Sequence, residues 1–484
     1  MGEVFRPWAR LILASLLLSA LGAPASAAVP AAERSALTAF YKATSGPKWA
    51  NRGGWLGKAG TECSWSGVTC NLAKTAVIGL VLNDNGLSGS LPASLSKLPG
   101  LQSLELEGNS LTGALPRDLG RLANLRSLRL GLNLLTGALP RELGSLARLE
   151  VLSLPFNRLS GALPPELGRL ASLQVLDLSR NAISGSIPPQ LGDLRSLRLL
   201  DLSANQLTGP IPVALGRLAS LTTLFLGPNQ LTGPVPRVLG SLKSLQQMSL
   251  ADNQLSGRIP PELGGLSNLM FLDLQNNQLS GVVPARLGDA ASLIALLLSK
   301  NRLAGNIPGA FLNLESLEFL WLDHNRFTGP VPFELGAMPL LDDDIGLDLR
   351  FNALATDTEP GLLADLNAKQ AGGEWRTSQA PAAAFDPLFP LSGLADRRKN
   401  VFVYWTLDVA TGAKPLTLAT ELGSGNADLY VRFGAPPTLI LNDAVSAGPA
   451  NQESVTIAAP RVGRYYIGLY ATAPYSGVSL RIDP

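Results

Sequence analysis

The chain has 484 residues, 46% of them apolar and only 16% charged, with a formal net charge of +2; this is length enough for two or three domains. Both signs of charge are interspersed and neither tail is a charge run, which excludes a nucleic-acid binder or a ligand of anionic membranes as the first reading. One histidine, His324, and two cysteines, Cys63 and Cys70, leave little for metal or redox chemistry, and we expect no metal and no cofactor.

Residues 1–27 read as a targeting segment. Arg6 and Arg10 precede the apolar run Leu11 to Leu21, and Ala25-Ser26-Ala27 has the small-x-small form of a signal-peptidase site. Cleavage there leaves Ala28 as the mature N-terminus. No later apolar stretch approaches the ~20 residues that span a bilayer, so a secreted or cell-surface protein without a membrane span is expected. Residues 28–76 follow as a cap: Ala36 to Tyr41 has the spacing of a short amphipathic helix, and Trp49, Trp55 and Trp65 read as its core. Cys63 and Cys70 lie close together, which in an exported chain is most simply one disulfide.

From residue 77 to 378 an asparagine returns every 24 residues, from Asn85 to Asn325, and once more at Asn352. Each sits in Leu-x-x-Leu-x-Leu-x-x-Asn-x-Leu, as in Leu197-Arg-Leu-Leu200-Asp-Leu202-Ser-Ala-Asn205-Gln-Leu207. Self-similarity at this period means a solenoid of about twelve units, each burying its apolar face against its neighbours. The Leu-x-Leu part alternates with period two and predicts a short strand, stacked in parallel about 4.8 Å from the next. The asparagine amide satisfies backbone groups of its own and the adjacent coil, a structural role. The last unit is irregular at Pro339 to Asp344, resumes at Asp348 to Leu354, and reads as helical over Leu362 to Leu366; the run Asp342 to Asp344 reads as a solvated loop. Residues 379–384, Gln-Ala-Pro-Ala-Ala-Ala, form a linker. Residues 385–484 turn to short alternating strands between turn signals, the mark of a β-sandwich.

These repeats resemble the plant-type leucine-rich repeat, and the Trp65-Ser-Gly-Val-Thr-Cys70 phrase is similar to its N-terminal cap. The resemblance implies an α/β-type leucine-rich repeat solenoid with a parallel-β concave face and an irregular or 3-10 convex side. Gly425-Asn-Ala-Asp428-Leu-Tyr-Val-Arg-Phe-Gly434, Gly463-Arg-Tyr-Tyr-Ile-Gly468 and Tyr475-Ser-Gly-Val478 closely resemble the bacterial pre-peptidase C-terminal domain, an all-β sandwich appended to many secreted bacterial enzymes and surface proteins. Members of that family often carry a Cys pair that is absent here, and some bind calcium; Asn426 and Asp428 read as turn residues.

Nothing in the sequence carries a catalytic motif: no Gly-x-Ser-x-Gly elbow, His-Glu-x-x-His or phosphate-binding loop is present. Asp177 and Asp201 stand on neighbouring predicted strands, but any repeat protein presents such pairs, and a flat array lacks the enclosed pocket that catalysis prefers. A non-enzyme is expected. The outward strand positions place Phe225, Phe271, Leu297, Phe319 and Trp321 on the concave face beside Asp323 and His324, with Asp177 and Asp201 as a second, acidic stretch. Exposed aromatics have no core to fill there, so these residues are the candidate site for an extracellular protein or polysaccharide partner. The alternative is an inhibitor of a secreted hydrolase, by similarity to the polygalacturonase-inhibiting proteins.

Overall fold

The computed structural model describes residues 28–332 without a break and, beyond them, shorter runs within 335–379 and 391–483. The targeting segment, the acidic run Asp342 to Asp344, most of the expected last helix and the linker after Gln379 lie outside the described residues. Residues 68–330 form a parallel-strand, solenoid-like repeat region, and a small antiparallel region follows it. The chain divides into two compact units, residues 1–231 and 232–484.

The first unit begins with helix α1 (Ala31–Ala43), with Glu33 in its first turn and Lys42 in its last, a charge order the helix dipole favours. Its buried face sets Phe40 and Tyr41 against Trp49, Trp55 and Trp65; the Tyr41 and Trp55 rings stack at 5.5 Å, and Trp55 lies 4.9 Å from each of the other two indoles. The three tryptophans are therefore cap core. Cys63 and Cys70 are bonded to each other. The strand Val68–Cys70 pairs antiparallel with the first repeat strand, Val77–Val81. Buried Glu33 accepts the Val77 N–H at 2.8 Å, closing the open edge of that coil. Burial raises the Glu33 pKa, and this hydrogen bond opposes the rise.

Behind the cap, Ser103–Glu105, Ser127–Arg129, Val151–Ser153, Val175–Asp177, Leu199–Asp201 and Thr223–Phe225 stack in parallel register. The middle leucine of each, such as Leu176 and Leu200, is fully buried. The asparagine ladder works as the period implies. Asn133 Nδ2 donates to the carbonyls of Leu106, Leu130 and Gly131 at 2.9–3.1 Å, and its Oδ1 accepts the Leu111 N–H at 2.9 Å. Two coils are thus satisfied by one amide.

The 3-10 turns expected of the convex side recur along the coils, as at Arg141–Ser145 and Pro165–Arg169. In addition, the segments after the asparagines form a second parallel sheet, for example Arg158–Ala162, Ala182–Ser186 and Gln206–Pro210. Their Leu-Ser/Thr-Gly composition reads as a turn, yet each backbone finds a ladder partner on the next coil. Each 3-10 turn follows a proline in extended conformation, such as Pro140 and Pro164. Most also hold a glycine where coils approach: a Cβ on Gly144 would lie 2.3 Å from the Glu166 carbonyl oxygen.

The second unit continues the repeat with Gln247–Ser249, Phe271–Asp273, Ala295–Leu297, Phe319–Trp321 and Leu347–Asp348. At its end glutamines replace asparagine. Gln370 Oε1 accepts the Leu349 N–H at 3.0 Å, and Gln379 Oε1 accepts the Leu354 N–H at 3.1 Å while its Nε2 donates to the Leu349 and Trp375 carbonyls. Gln379 therefore belongs to the cap and not to the linker. Trp375 is fully buried beside it.

The C-terminal region is antiparallel. In place of short strands only, its C-terminal part is one long strand, Gly463–Asp483. Its first part pairs with Phe402–Val409 and Ser424–Phe433, its last part with Leu391–Asp396 and Leu416–Glu421. Tyr465, Ile467 and Leu469 are buried at alternate positions, as a half-buried strand requires.

Candidate functional site

The outward positions of the repeat strands lie where the period places them. In the first unit Asp177, Asp201 and Phe225 occupy equivalent positions on three successive strands. In the second, Phe271, Ala295 and Phe319 form one row, and Asp273, Leu297, Trp321 and Asp348 form the next. These side chains are less open than expected. Phe225, Phe271, Phe319 and Trp321 are half-buried, and Leu297 is only 8% exposed. Strands about 4.8 Å apart bring neighbouring side chains into contact, so a leucine between Asp273 and the larger Trp321 is covered by them. Leu297 is corrected from a contact residue to a support.

His324 lies beyond this row with its side chain 46% exposed. Its Nδ1 is 2.7 Å from Asp323 Oδ2, and its ring packs against Phe351 at a tilt of 32° with centroids 4.2 Å apart. Asp323 is buried and accepts a second bond from the Ser299 hydroxyl. The imidazole is thus held in place from its inner side.

The acidic stretch is equally organised. Asp177 Oδ1 accepts the N–H and hydroxyl of Ser179, and Asp201 Oδ1 does the same from Ser203, all at 2.6–3.0 Å. Burial raises the Asp201 pKa; the hydroxyl and N–H of Ser203 pull it back, Asp177 adds to the rise, and Arg180 opposes it. Asp273 is raised for the same leading reason. A carboxyl whose pKa is higher in the folded state destabilises the fold once ionised. Its contribution is most favourable below the unfolded value and declines as pH rises through the folded one. Asp201→Asn should therefore flatten part of the fall in stability as pH rises above the unfolded carboxylate value of ~3.9; thermal melts of both proteins at pH values from that point upward measure it. An unchanged pH profile would show that Asp201 titrates alike in both states.

No cluster of three or more His, Cys, Asp or Glu side chains suited to a metal is present among the described residues. The acidic run Asp342 to Asp344 lies outside them; Asp428 is buried. A cleft of about 450 Å³ is lined by Glu150, Ser172, Gln174, Ser196 and Arg198, among others, on the side where the chain enters the strands.

Apart from His324, one column escaped the strand-face reading. The residue before every ladder asparagine except Asn229, which follows Pro228, adopts left-handed backbone, as at Leu132, Phe156, Arg180 and Phe351, with φ of 53–54°. Leu132, Phe156 and Phe351 are 57%, 48% and 47% exposed. The available signal was the occupancy of that position elsewhere by Asp84, Gly108, Asp252 and Asn276, residue types that tolerate positive φ.

Comparison with known proteins accounts for both regions. Leucine-rich repeat models match residues 100–122, 147–207, 244–266 and 267–327, and the bacterial pre-peptidase C-terminal domain model matches residues 402–471. The plant peptide hormone receptor RGFR1, solved in complex with RGF2, is 40% identical over 56% of this chain and 43% of its own, with a TM-score of 0.55. The Arabidopsis receptor kinase HAESA, solved with the peptide hormone IDA and the co-receptor SERK1, is 35% identical over 62% of this chain and 51% of its own, with a TM-score of 0.57. Alkaline serine exoprotease A of Vibrio alginolyticus is 40% identical over 94 residues, 19% of this chain and 17% of the protease. The chain thus spans about half or less of each of these proteins, and the protease likeness is confined to the C-terminal domain. No helix among the described residues is long and apolar enough to cross a membrane. The chain carries leucine-rich repeats and a bacterial pre-peptidase C-terminal domain.

Proposed function

We propose that this is an exported, non-catalytic binding protein whose outward strand face holds a protein or glycan partner, while the C-terminal domain serves secretion or attachment to the surface or matrix. The observation that carries the reading is the placement of Phe271, Phe319 and Trp321 at outward positions of two strands separated by Ala295–Leu297, where the leucine core is already complete without them. Large aromatics that remain partly accessible on a rigid sheet concentrate binding energy. Phe225, Asp177 and Asp201 are the corresponding groups of the first unit, and His324 borders the aromatic rows of the second. The similar receptor ectodomains hold peptide ligands, which supports recognition by the repeats. The targeting segment at residues 1–27, removed near Ala27, and the protease-type C-terminal domain support export.

The mature chain from Ala28 should retain a partner from surface and secreted extracts, and Phe225→Ala, Phe271→Ala and Trp321→Ala together should release it. A secreted hydrolase as the captured species would make the protein an inhibitor, whereas a surface polymer or adhesin ligand would make it an attachment protein. Equal capture by both forms would move recognition to the C-terminal domain.

A further inference from the structure

The left-handed column is a place where the chain accepts backbone strain without gaining core. In the first unit it reads Asp84, Gly108, Leu132, Phe156, Arg180 and Ala204, all at φ between 50° and 67°, and is interrupted at Pro228. Aspartate and glycine tolerate this conformation, while leucine and phenylalanine are disfavoured in it. Leu132 and Phe156 nevertheless stand there with about half of their surfaces in water, 57% and 48%. They are neighbours: the Leu132 N–H donates to the Pro155 carbonyl at 2.9 Å, and the Asn133 N–H to the Phe156 carbonyl at 3.3 Å. The coil imposes this backbone on the column as a whole, so what is particular to Leu132 and Phe156 is that two large apolar side chains stand exposed on successive coils, and contiguous exposed apolar surface marks interaction sites.

The surroundings define what fits. The Arg180 guanidinium lies 4.8 Å from the Phe156 ring centroid, and its charge also acts on Asp201. Asp201 faces Asp177 on the adjoining strand. In both carboxylates Oδ1 is occupied by serine, whereas Oδ2 accepts no hydrogen bond from the described residues. Phe156 thus stands one coil before Asp177 and Leu132 two, and an exposed apolar pair precedes two carboxylate oxygens along the same run of coils. A lysine ammonium or arginine guanidinium is the group such a pair takes best, through charge-assisted hydrogen bonds. A bound metal would need more oxygens than this corner supplies.

We propose that Leu132, Phe156, Asp177 and Asp201 form a docking edge for a polypeptide segment in which an apolar side chain adjoins a lysine or arginine. This extends the binding reading to a surface of the first unit that does not include the aromatic rows around Phe271 and Trp321. The test uses the mature chain as bait for a displayed library of random dodecapeptides, compared with Leu132→Asn/Phe156→Asn, Asp177→Asn/Asp201→Asn and Phe271→Ala/Trp321→Ala variants. Asparagine suits left-handed backbone, so the first variant should melt at or above the temperature of the parent, which separates docking from a structural role. We expect enriched peptides to pair an apolar with a basic residue, and their affinity to fall about tenfold or more in the first two variants and to persist in the third. No enrichment, enrichment of acidic peptides, or peptides whose affinity is unchanged by the first variant would each overturn the proposal. Loss only in the third would locate peptide binding in the aromatic rows, sparing the general binding reading while refuting this edge.

Discussion

Replacing Gly144 by alanine should be among the most damaging single changes in the repeats, costing about 3 kcal/mol or more. The added Cβ would stand 2.3 Å from the Glu166 carbonyl oxygen and 2.7 Å from its carbon, both backbone atoms of the next coil that no rotamer change can move. The same approach recurs at Gly120, where the Glu142 oxygen is 2.3 Å away, and at Gly192, where the Ala214 oxygen is 2.2 Å away. The spacing between coils on this side is therefore set by the missing side chain, and the methyl can be housed only by prising two coils apart. Ser145→Ala, an exposed change one residue further along the same turn, should stay within about 0.5 kcal/mol of the parent. Chemical denaturation of the two variants measures the contrast; equal stability would show that the coils can separate freely.

Asn133 should be nearly as intolerant. Alanine there removes the donor to three carbonyls and the acceptor of the Leu111 N–H in a site only 5% exposed. Leaving those buried groups unpaired should cost about 3 kcal/mol. Aspartate is almost the same shape and keeps the acceptor, yet it should be worse at neutral pH, because a carboxylate would then face three carbonyl oxygens with no proton to offer. The order parent, alanine, aspartate in melting temperature tests the account. If aspartate matched the parent, shape and not donation would be the role of the ladder.

The contrast between these two residues shows what a sequence of this kind discloses. Asn133 is legible because its work is repeated every 24 residues and its amide has the donors and the acceptor that the work needs. The leucine core, the paired Cys63 and Cys70 and the tryptophan cap are legible for similar local reasons. Gly144 recurs at the same spacing from Gly120 to Gly288, but its purpose depends on an atom 22 residues away, which period alone does not reveal. The second sheet was hidden because Leu-Ser-Gly is ordinary turn chemistry until a parallel copy lies beside it. Gln379 was hidden because it does the work of a ladder asparagine off the period, with a longer side chain. For the candidate site, alternation gave the direction of Phe271 and Trp321 but not the size of their neighbours, so the burial of Leu297 was missed. The exposed pair Leu132 and Phe156 was missed because alternation stops at the strand end, where backbone of positive φ turns side chains outward instead.

The central claim is that the outward strand face binds a partner. Its most direct test is a titration of the captured partner against the mature chain and its Phe225→Ala, Phe271→Ala, Trp321→Ala form, with melting curves for both. Because hot-spot aromatics each contribute about 2 kcal/mol or more, affinity should fall by two orders of magnitude or more. The half-buried aromatics should lower the melting temperature only modestly, since the leucine core beneath them is untouched. Unchanged affinity in a folded variant would contradict the account and leave the repeats as a spacer for the C-terminal domain.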